Sequence, residues 1–528
     1  MERVLSHFFT PDLAQRAGCI GMPSPFPAAD PLVTGLAYDS RTVSRGNLYF
    51  ALPGLHTDGH AYIPDAIRKG ARVIIHQQAL PRYEEGIRYI RVEDARFAMS
   101  PVADAFYESP SKELCVIGVT GTEGKSTTVY LIYQLLTLLG KQAGFISTVQ
   151  YSDGTGERGN PEHQTTPEAP VVQKLLRDIR KHGGDYAVLE ASSHGLSPRT
   201  NRLGDVAFAV AVMTTVNHEH LEFHGTWEQY RQDKARLFQA LDRLDRPKAL
   251  SPKLPRFGVV NADDPSAAYF AESTTQRTYT YSTQGLEADM SLKNITGKVG
   301  GNCYEVGIAK TGAILAIRDQ LPGAFNAGNV LASLIVLSEL LSMPVEELIP
   351  LVAGLKPVRG RMTRVERGQP FEVVVDYAHT PASFRAIFPP LRERLDERGG
   401  RIISLFGSAG ERDTAKRHEQ GRIAAAWSDL LLLTDEDPRG EDPLAILEDI
   451  ARGISGAAEG ETLFLIPDRP KAIRKAFALA QPQDLVLLLG KGHEHSIIYA
   501  HETKAYDEIE EAEKALAEMG FSCPLLSS

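Results

Sequence analysis

The sequence predicts an α/β protein of several domains, and three observations carry that prediction. The chain has 528 residues, which at roughly 150 residues per domain is about three to four domains. Between Glu113 and Gly140 a buried apolar strand runs into a Gly-rich turn and then a long apolar helix. After a stretch at 349–360 containing two Pro and two Gly, a second series of apolar strands alternates with helix-length segments. Breaks near 111 and 350 divide the chain into segments 1–110, 111–350 and 351–528.

In chain order, residues 34–110 read as a small mixed unit. TGLAYDSRTVSRGNLYFALPG is followed by a helical pattern, PDAIRKGA, and a short strand, RVIIH. That is too few elements for a nucleotide fold of its own. Next come the strand ELCVIGVTG and the helix STTVYLIYQLLTLLG, closed by Gly140. The apolar runs DYAVLEAS, VAFAVAVMTT and RFGVVNAD, spaced by helix-length stretches, show the alternation that a parallel sheet requires. The helix NAGNVLASLIVLSELL precedes the second break. Beyond it, FEVVVDYA, RIISLFG, DLLLLT, TLFLIP and DLVLLLG predict a second open parallel sheet, and DEIEEAEKALAEM a final helix with Asp507 as N-cap.

Composition narrows the class. Lys+Arg 57 against Asp+Glu 67 gives a net charge of −10, with 43% hydrophobic and 23% charged residues, an ordinary globular balance that disfavours a nucleic-acid coat or an acidic tail. The four cysteines, Cys19, Cys115, Cys303 and Cys523, show no C-x-x-C spacing, so neither a disulfide framework nor a thiolate zinc site is expected. MERVLSHFFTPDLAQR lacks the basic-then-apolar order of a signal peptide, and no window approaches about 18 apolar residues. A cytoplasmic protein without a membrane span or nucleic-acid partner is expected.

The chemistry concentrates at the strand-to-helix junction Gly121-Thr122-Glu123-Gly124-Lys125-Ser126-Thr127. Backbone N–H groups and the helix dipole there face an anion, while Lys125 and Ser126 reach phosphate and Mg²⁺. The loop is a variant: the usual G-x-x-x-x-G-K-[ST] form places Gly where Val119 stands. Glu190, at the end of DYAVLE, is either a second Mg²⁺ ligand or part of a capping Glu-Ser-Ser turn. His218, His220 and His224 with Glu219 and Glu222 invite a zinc reading, but their spacing fits no H-E-x-x-H site and an ATP-site role competes. Asn261-Ala262-Asp263-Asp264 ends the next strand, either as polar ligand groups or as a plain turn.

With GTEGKST, TTPE at 165–168, EASSHGL at 190–196, HEHLEFHGT at 218–226, VVNADDP, LPGAFNAGN and VVDYAHTP in this order, the chain resembles the Mur ligases. These are ATP-dependent amino-acid ligases that build the peptide stem of the peptidoglycan precursor. DSRTVSRGNLYFALPG at 39–54, FGSAGERDTAKR at 406–417, the EDPR quartet at 436–439 and GKGHE at 490–494 are most similar to the members that add the third residue. The resemblance implies a uridine-nucleotide domain, a central ATPase and a C-terminal Rossmann-like domain carrying the incoming amino acid, with ATP, Mg²⁺, UDP-N-acetylmuramoyl-L-Ala-D-Glu and a diamino acid as cofactor and substrates, in a monomer.

Residue by residue, it implies that Gly121, Thr122, Glu123, Gly124, Lys125, Ser126, Thr127 and Thr128 hold ATP phosphates. Asn329 and Arg361 line the nucleotide, with Asp376 and His379 near it. Ser40 contacts the uridine diphosphate part. Thr165, Thr166, Ser192 and Arg202 face the muramoyl peptide, with Arg199 an alternative to Arg202. Ser126 and Glu190 take one Mg²⁺, and His220 with a carbamylated Lys234 the other. Carbamylation by CO₂ is implied because an ammonium beside Mg²⁺ is repelled whereas a carbamate is an oxygen ligand; read without the resemblance, Lys234 is a solvated helix lysine.

For the amino acid, Arg412, Glu436, Asp437, Pro438, Arg439, Gly490 and Glu494 are implicated. Where many family members have Asp-Asn-Pro-Arg, this chain has Glu436-Asp437-Pro438-Arg439. Thr434–Asp442 holds five acids against one Arg, which suits a side-chain ammonium, as in lysine or ornithine. Arg412 and Arg439 suit instead the second carboxylate of diaminopimelate, so the choice stays open, as does a solvated loop. A folylpolyglutamate synthase-like ligase, a non-catalytic nucleotide-binding homologue and a dinucleotide oxidoreductase are the rivals. The first should lack the DSR…LYFALPG block. The second would not be expected to keep Lys125, Glu190, His220, Lys234, Arg412 and Glu494. The third needs a G-x-G-x-x-G that neither GSAGER nor GKGHEH supplies.

Overall fold

The computed structural model describes residues 1–20, 30–54, 57–160, 164–217, 221–243, 254–298, 301–396 and 399–521. The chain forms two compact units, Met1–Gln320 with Ala324–Lys356, and Leu321–Gly323 with Pro357–Ser528.

The first unit holds two main sheets. A small four-stranded parallel sheet orders its strands Gly35–Ala37, Asn47–Phe50, Val73–His76 and Arg88–Arg91. Its core, from Leu5 and Phe8 to Met99 and Phe106, includes Ala169 from the helix Ala169–Lys181. Arg177 on that helix donates to the carbonyl of Tyr107 at 2.8 Å. This shared core is why the N-terminal and central segments cluster as one compact unit, a packing that periodicity along the chain does not reveal.

Among the described residues the larger sheet has eleven strands. Its parallel centre places the phosphate-loop strand Cys115–Thr120 between Tyr186–Glu190 and Phe208–Met213. All six residues of Cys115–Thr120 are buried, as a strand covered by helices on both faces must be. The register pairs Glu190 with Val119 and Met213 with Thr120, so three strand ends meet at the loop. Val119 is a strand residue here, buried and paired, and needs no glycine. The parallel pairing ends with Met290–Lys298 at one side and Ala143–Ile146 at the other; beyond them the sheet continues antiparallel, through Gly301–Ile308 and Ile314–Asp319 and through Gln150–Ser152 and Glu157–Gly159 respectively.

The second unit is a six-stranded sheet in the order Thr363–Arg364, Glu372–Asp376, Leu485–Leu489, Ile402–Phe406, Leu430–Leu433 and Leu463–Leu465. All but the first pair are parallel. Insertion of the last strand, Leu485–Leu489, beside the first parallel one makes a switch in strand order, and a ligand crevice in such sheets lies outside the carboxyl ends near that switch. The closing helix Glu508–Glu518 is capped by Asp507, whose side chain accepts from the N–H groups of Ile509 and Glu510. Among the described residues no helix is long and apolar enough to cross a membrane.

Candidate active site

In the first unit the site grows from the loop between Thr120 and Lys125. Gly121 adopts φ 150° and Gly124 φ 80°. A Cβ on Gly121 would lie 1.9 Å from Thr214 Oγ1, and one on Gly124 would lie 2.6 Å from Asn329 Oδ1, so both positions demand glycine for space as well as conformation. Thr214 and Thr215, just past the neighbouring strand, brace the turn: Thr214 Oγ1 donates to the Glu123 carbonyl, and Thr122 N donates to the Thr215 carbonyl, both at 2.5 Å. Thr122 Oγ1 is 2.9 Å from Tyr230 Oη and accepts from Asn217 N at 2.8 Å. The helix Lys125–Leu138 then starts with its first N–H groups at the loop.

Around that helix start stand the charged groups. Lys125 Nζ donates to the Thr122 carbonyl at 2.8 Å and lies 4.0 Å from Glu190 Oε1. Ser126 Oγ donates to Glu190 Oε2 at 2.8 Å, and Thr148 N donates to the same oxygen at 2.9 Å. Thr128 Oγ1 donates to Asn329 Oδ1 at 3.1 Å, which joins Asn329, on the helix Asn326–Leu341, to the loop helix.

Thr166 and Ser192 form a second node beside it. Thr166 Oγ1 donates to the Glu190 carbonyl at 2.8 Å and lies 2.9 Å from Ser192 Oγ. Arg202 donates to the Thr166 carbonyl at 2.9 Å and pairs with Glu168 at 3.1 Å. Arg199 instead donates to the Phe223 carbonyl at 2.6 Å and covers the Phe223 ring. Thr165 is half-buried next to Thr166. Ser40 is buried by the small sheet, and its carbonyl accepts from Lys69 Nζ at 2.9 Å.

Lys234 is no solvated helix lysine. It is 2% exposed, donates from Nζ to the Gly121 carbonyl at 2.5 Å, and sits 4.6 Å from the centre of the Tyr230 ring. Its neighbour Asp233 is buried in a network: His224 Nδ1 lies 2.9 Å from Asp233 Oδ2, His224 Nε2 lies 3.1 Å from Ser193 Oγ, and Gln229 and Arg236 reach Asp233 Oδ1. Burial pushes the Asp233 carboxyl up, but hydrogen bonds from His224, Ser197 and Arg236 outweigh it and hold the group below the usual range. His224 is thus spoken for structurally. His220, with His218 and Glu219, lies outside the described residues.

The second unit gathers its own polar cluster at the strand ends. Asp376 is buried and accepts from the N–H groups of Met362 and Ala378, both at 2.7 Å. Burial raises its pKa against the opposing pull of Arg361. Arg361 lies 4.8 Å over the Tyr377 ring, and His379 Nδ1 contacts the Tyr377 carbonyl at 2.8 Å. Tyr377 Oη donates to Glu494 Oε1 at 3.3 Å. Glu436 and Asp437 are buried, Pro438 is buried beside them, and Arg439 is half-buried with φ 54°. Lys491, 1% exposed at its side chain, bridges Asp437 Oδ1 at 2.9 Å and Glu494 Oε2 at 2.5 Å. Gly490 takes φ 101° beside Glu436. Arg412 is exposed.

The chain matches the Mur ligase middle domain over residues 119–337, the Mur ligase glutamate ligase domain over 360–492 and the Mur ligase family catalytic domain over 32–107. It is 49% identical to the UDP-N-acetylmuramyl-tripeptide synthetase of Treponema denticola, over 93% of both chains. The chain belongs to the Mur ligase family. It is also 50% identical to the protein of the same name from Treponema pallidum, over 94% of this chain and 95% of that one. Among solved structures, a UDP-N-acetylmuramoyl-L-alanyl-D-glutamate--2,6-diaminopimelate ligase matches this Mur ligase with a TM-score of 0.59 and 27% identity, over 95% of this chain and 98% of that one.

Sequence reasoning missed several residues of this Mur ligase's polar network. Thr214, Thr215 and Tyr230 brace the phosphate loop from distant segments, and Lys491 and Tyr377 tie the second cluster together. Lys491 stands inside GKGHE and Tyr377 inside VVDYAHTP, but the meeting of Lys491 with Asp437 depends on strand order, which no local pattern marks.

Proposed function

We propose that this Mur ligase joins a diamino acid to the D-glutamyl carboxylate of UDP-N-acetylmuramoyl-L-alanyl-D-glutamate, at the expense of ATP. The carrying observation is the loop itself: Lys125, Ser126 and Glu190 converge at the start of a helix whose N–H groups face an anion. The names of its Treponema relatives and of the matching diaminopimelate ligase structure supply the substrate class.

Buried Glu190 and the Ser126 hydroxyl are hard oxygen donors of the kind Mg²⁺ takes. They would hold one ion, which when bound neutralises phosphate charge. Lys234, whose Nζ reaches the Gly121 carbonyl of the loop, is the residue that a carbamate formed with CO₂ would turn into an oxygen ligand, with His220 as its proposed companion.

In the reaction, a D-glutamyl carboxylate oxygen bonds to the γ-phosphorus as the bond to ADP breaks. The amine nitrogen of the incoming amino acid then bonds to the acyl carbon, the acyl–phosphate bond breaks, and the amine gives up a proton. Lys125 and the loop amides hold phosphate oxygens through the first step. Thr166, Ser192 and Arg202 position the muramoyl peptide beside Glu190. Ser40 holds the uridine diphosphate, Asn329, Arg361, Asp376 and His379 the nucleotide, and Arg412, Glu436–Arg439, Gly490 and Glu494 the amino acid.

The test supplies Mg-ATP, bicarbonate and UDP-N-acetylmuramoyl-L-Ala-D-Glu with meso-diaminopimelate, L-lysine or L-ornithine, following phosphate release and product mass. A nucleotide-tripeptide is expected with one of them. ATP binding without any product would favour the non-catalytic homologue instead.

A further inference from the structure

Resting on that ligase reading, we propose that Arg96 and Glu168 are positioning residues for the peptide substrate. Together they keep one edge of the Arg202 guanidinium open for a carboxylate of the muramoyl peptide.

Three segments meet at this point. Arg96 stands in the first turn of the helix Ala95–Phe106, whose apolar residues fill the core of the small sheet. Glu168 directly precedes the helix Ala169–Lys181, and Arg202 follows the short helix Ser193–Leu196. The chain around Arg202 is stapled down. Asn201, at φ 49°, donates from Nδ2 to the Phe97 carbonyl at 2.9 Å, Leu203 N donates to the Gly195 carbonyl at 3.1 Å, and Asp205 N donates to Ser100 Oγ at 3.1 Å. Arg202 therefore has a fixed base, and what grips its far end sets the guanidinium.

That grip is incomplete in one respect. Arg202 Nη1 donates to the Thr166 carbonyl at 2.9 Å and Nη2 to Glu168 Oε1 at 3.1 Å. Arg96 Nη1 donates to the same Oε1 at 3.0 Å. Glu168 Oε2 and Arg202 Nε are both buried, and neither has a hydrogen-bond partner among the described residues. A carboxylate beside a guanidinium commonly closes into a two-point pair. This chain does so elsewhere: Arg469 donates to Glu508 from Nε at 2.8 Å and from Nη2 at 2.7 Å. Between Glu168 and Arg202 the second bond is left unmade, and Arg96, drawing on Oε1, holds the carboxylate out of that arrangement.

A buried N–H without an acceptor is costly, so its acceptor is expected from a ligand. Arg202 is anchored on Thr166, whose hydroxyl lies 2.9 Å from Ser192 Oγ, in the node assigned to the muramoyl peptide. The peptide brings carboxylate, the acceptor that suits a guanidinium best. Glu168 thus orients Arg202 without consuming its Nε, and Arg96 keeps Glu168 from consuming it.

Phosphate release is measured with UDP-N-acetylmuramoyl-L-Ala-D-Glu, Mg-ATP and each of meso-diaminopimelate, L-lysine and L-ornithine. No turnover by the wild-type enzyme with any of them sinks the ligase reading, and this proposal with it. With turnover established, Arg96→Met keeps the aliphatic stem but frees Glu168 to close on Arg202 Nε. Its KM for the UDP-dipeptide should rise about tenfold, while kcat and the KM for ATP move by less than about twofold. An unchanged KM, or a KM for ATP that rises in step, overturns the proposal. Glu168→Gln cannot form the charged pair and should raise the same KM by roughly threefold. The variant carrying both changes has no carboxylate to cover Nε. It should return to the level of Glu168→Gln alone, a departure from additivity that two merely structural losses would not give. A double variant as impaired as Arg96→Met, or worse, overturns the proposal while leaving the ligase intact.

Discussion

The phosphate loop of the first unit and the acid-rich strand ends of the second handle buried charge in opposite ways. At the loop, Glu190 receives Ser126 and Thr148 with Lys125 nearby, so its carboxylate is supported before any ligand arrives. At the strand ends, carboxylates outnumber cations and Glu436 Oε2 has no donor. The first arrangement suits a co-substrate common to a whole family, held by preorganised groups. The second leaves a buried carboxylate oxygen without a donor, a cost the fold itself does not meet.

The largest expected effect tests the preorganised side. Lys125→Ala should lower kcat by about 1,000-fold, since one charge-stabilising donor is worth roughly that much at a transferring group; near-normal turnover would remove Lys125 from phosphate binding. On the other side, Lys491→Met leaves buried Asp437 and half-buried Glu494 without their shared cation. About 3–5 kcal/mol of stability is expected to be lost, read by denaturant unfolding followed with a probe in the second unit. An intact midpoint would mean that the two acids are not charged together.

A smaller effect is expected from His224→Leu, which strips partners from buried Asp233 and Ser193. Roughly 1–3 kcal/mol should be lost, visible as a lower Tm. The smallest is a pH effect. Burial pushes the Asp435 carboxyl up to about 6, against the hydrogen bond from Tyr499 and the pull of Arg469. The anion attracts an ammonium and the acid does not, so the KM for the diamino acid should rise several-fold as pH falls through 6. A flat KM between pH 7.5 and 5.5 would break that part of the contrast.

How much of this could be read in advance also differs between the two regions. The phosphate loop is a local motif, so strand, turn, Lys125 and Ser126 were legible from seven consecutive residues. The strands of the second sheet were legible as well, because buried parallel strands are continuous apolar runs. The antiparallel extension through Met290–Asp319 was not. Its strands mix polar and apolar residues, and neither a helix period nor a plain apolar run marks them. Nor was the partnering of charges: that Asp437 faces Lys491, 54 residues away, depends on which strands become neighbours.

One pairing bears on how the molecule is made. Arg469 holds the carbonyls of Asp435 and Leu489 in place, and its buried two-point ion pair is with Glu508, 39 residues further along. A growing chain therefore carries Arg469 without this two-point partner until the helix Glu508–Glu518 leaves the ribosome. The phosphate loop and the strands beside it have all been synthesised long before. The phosphate-loop region can therefore mature early in synthesis, while the strand ends that Arg469 braces wait for the helix Glu508–Glu518.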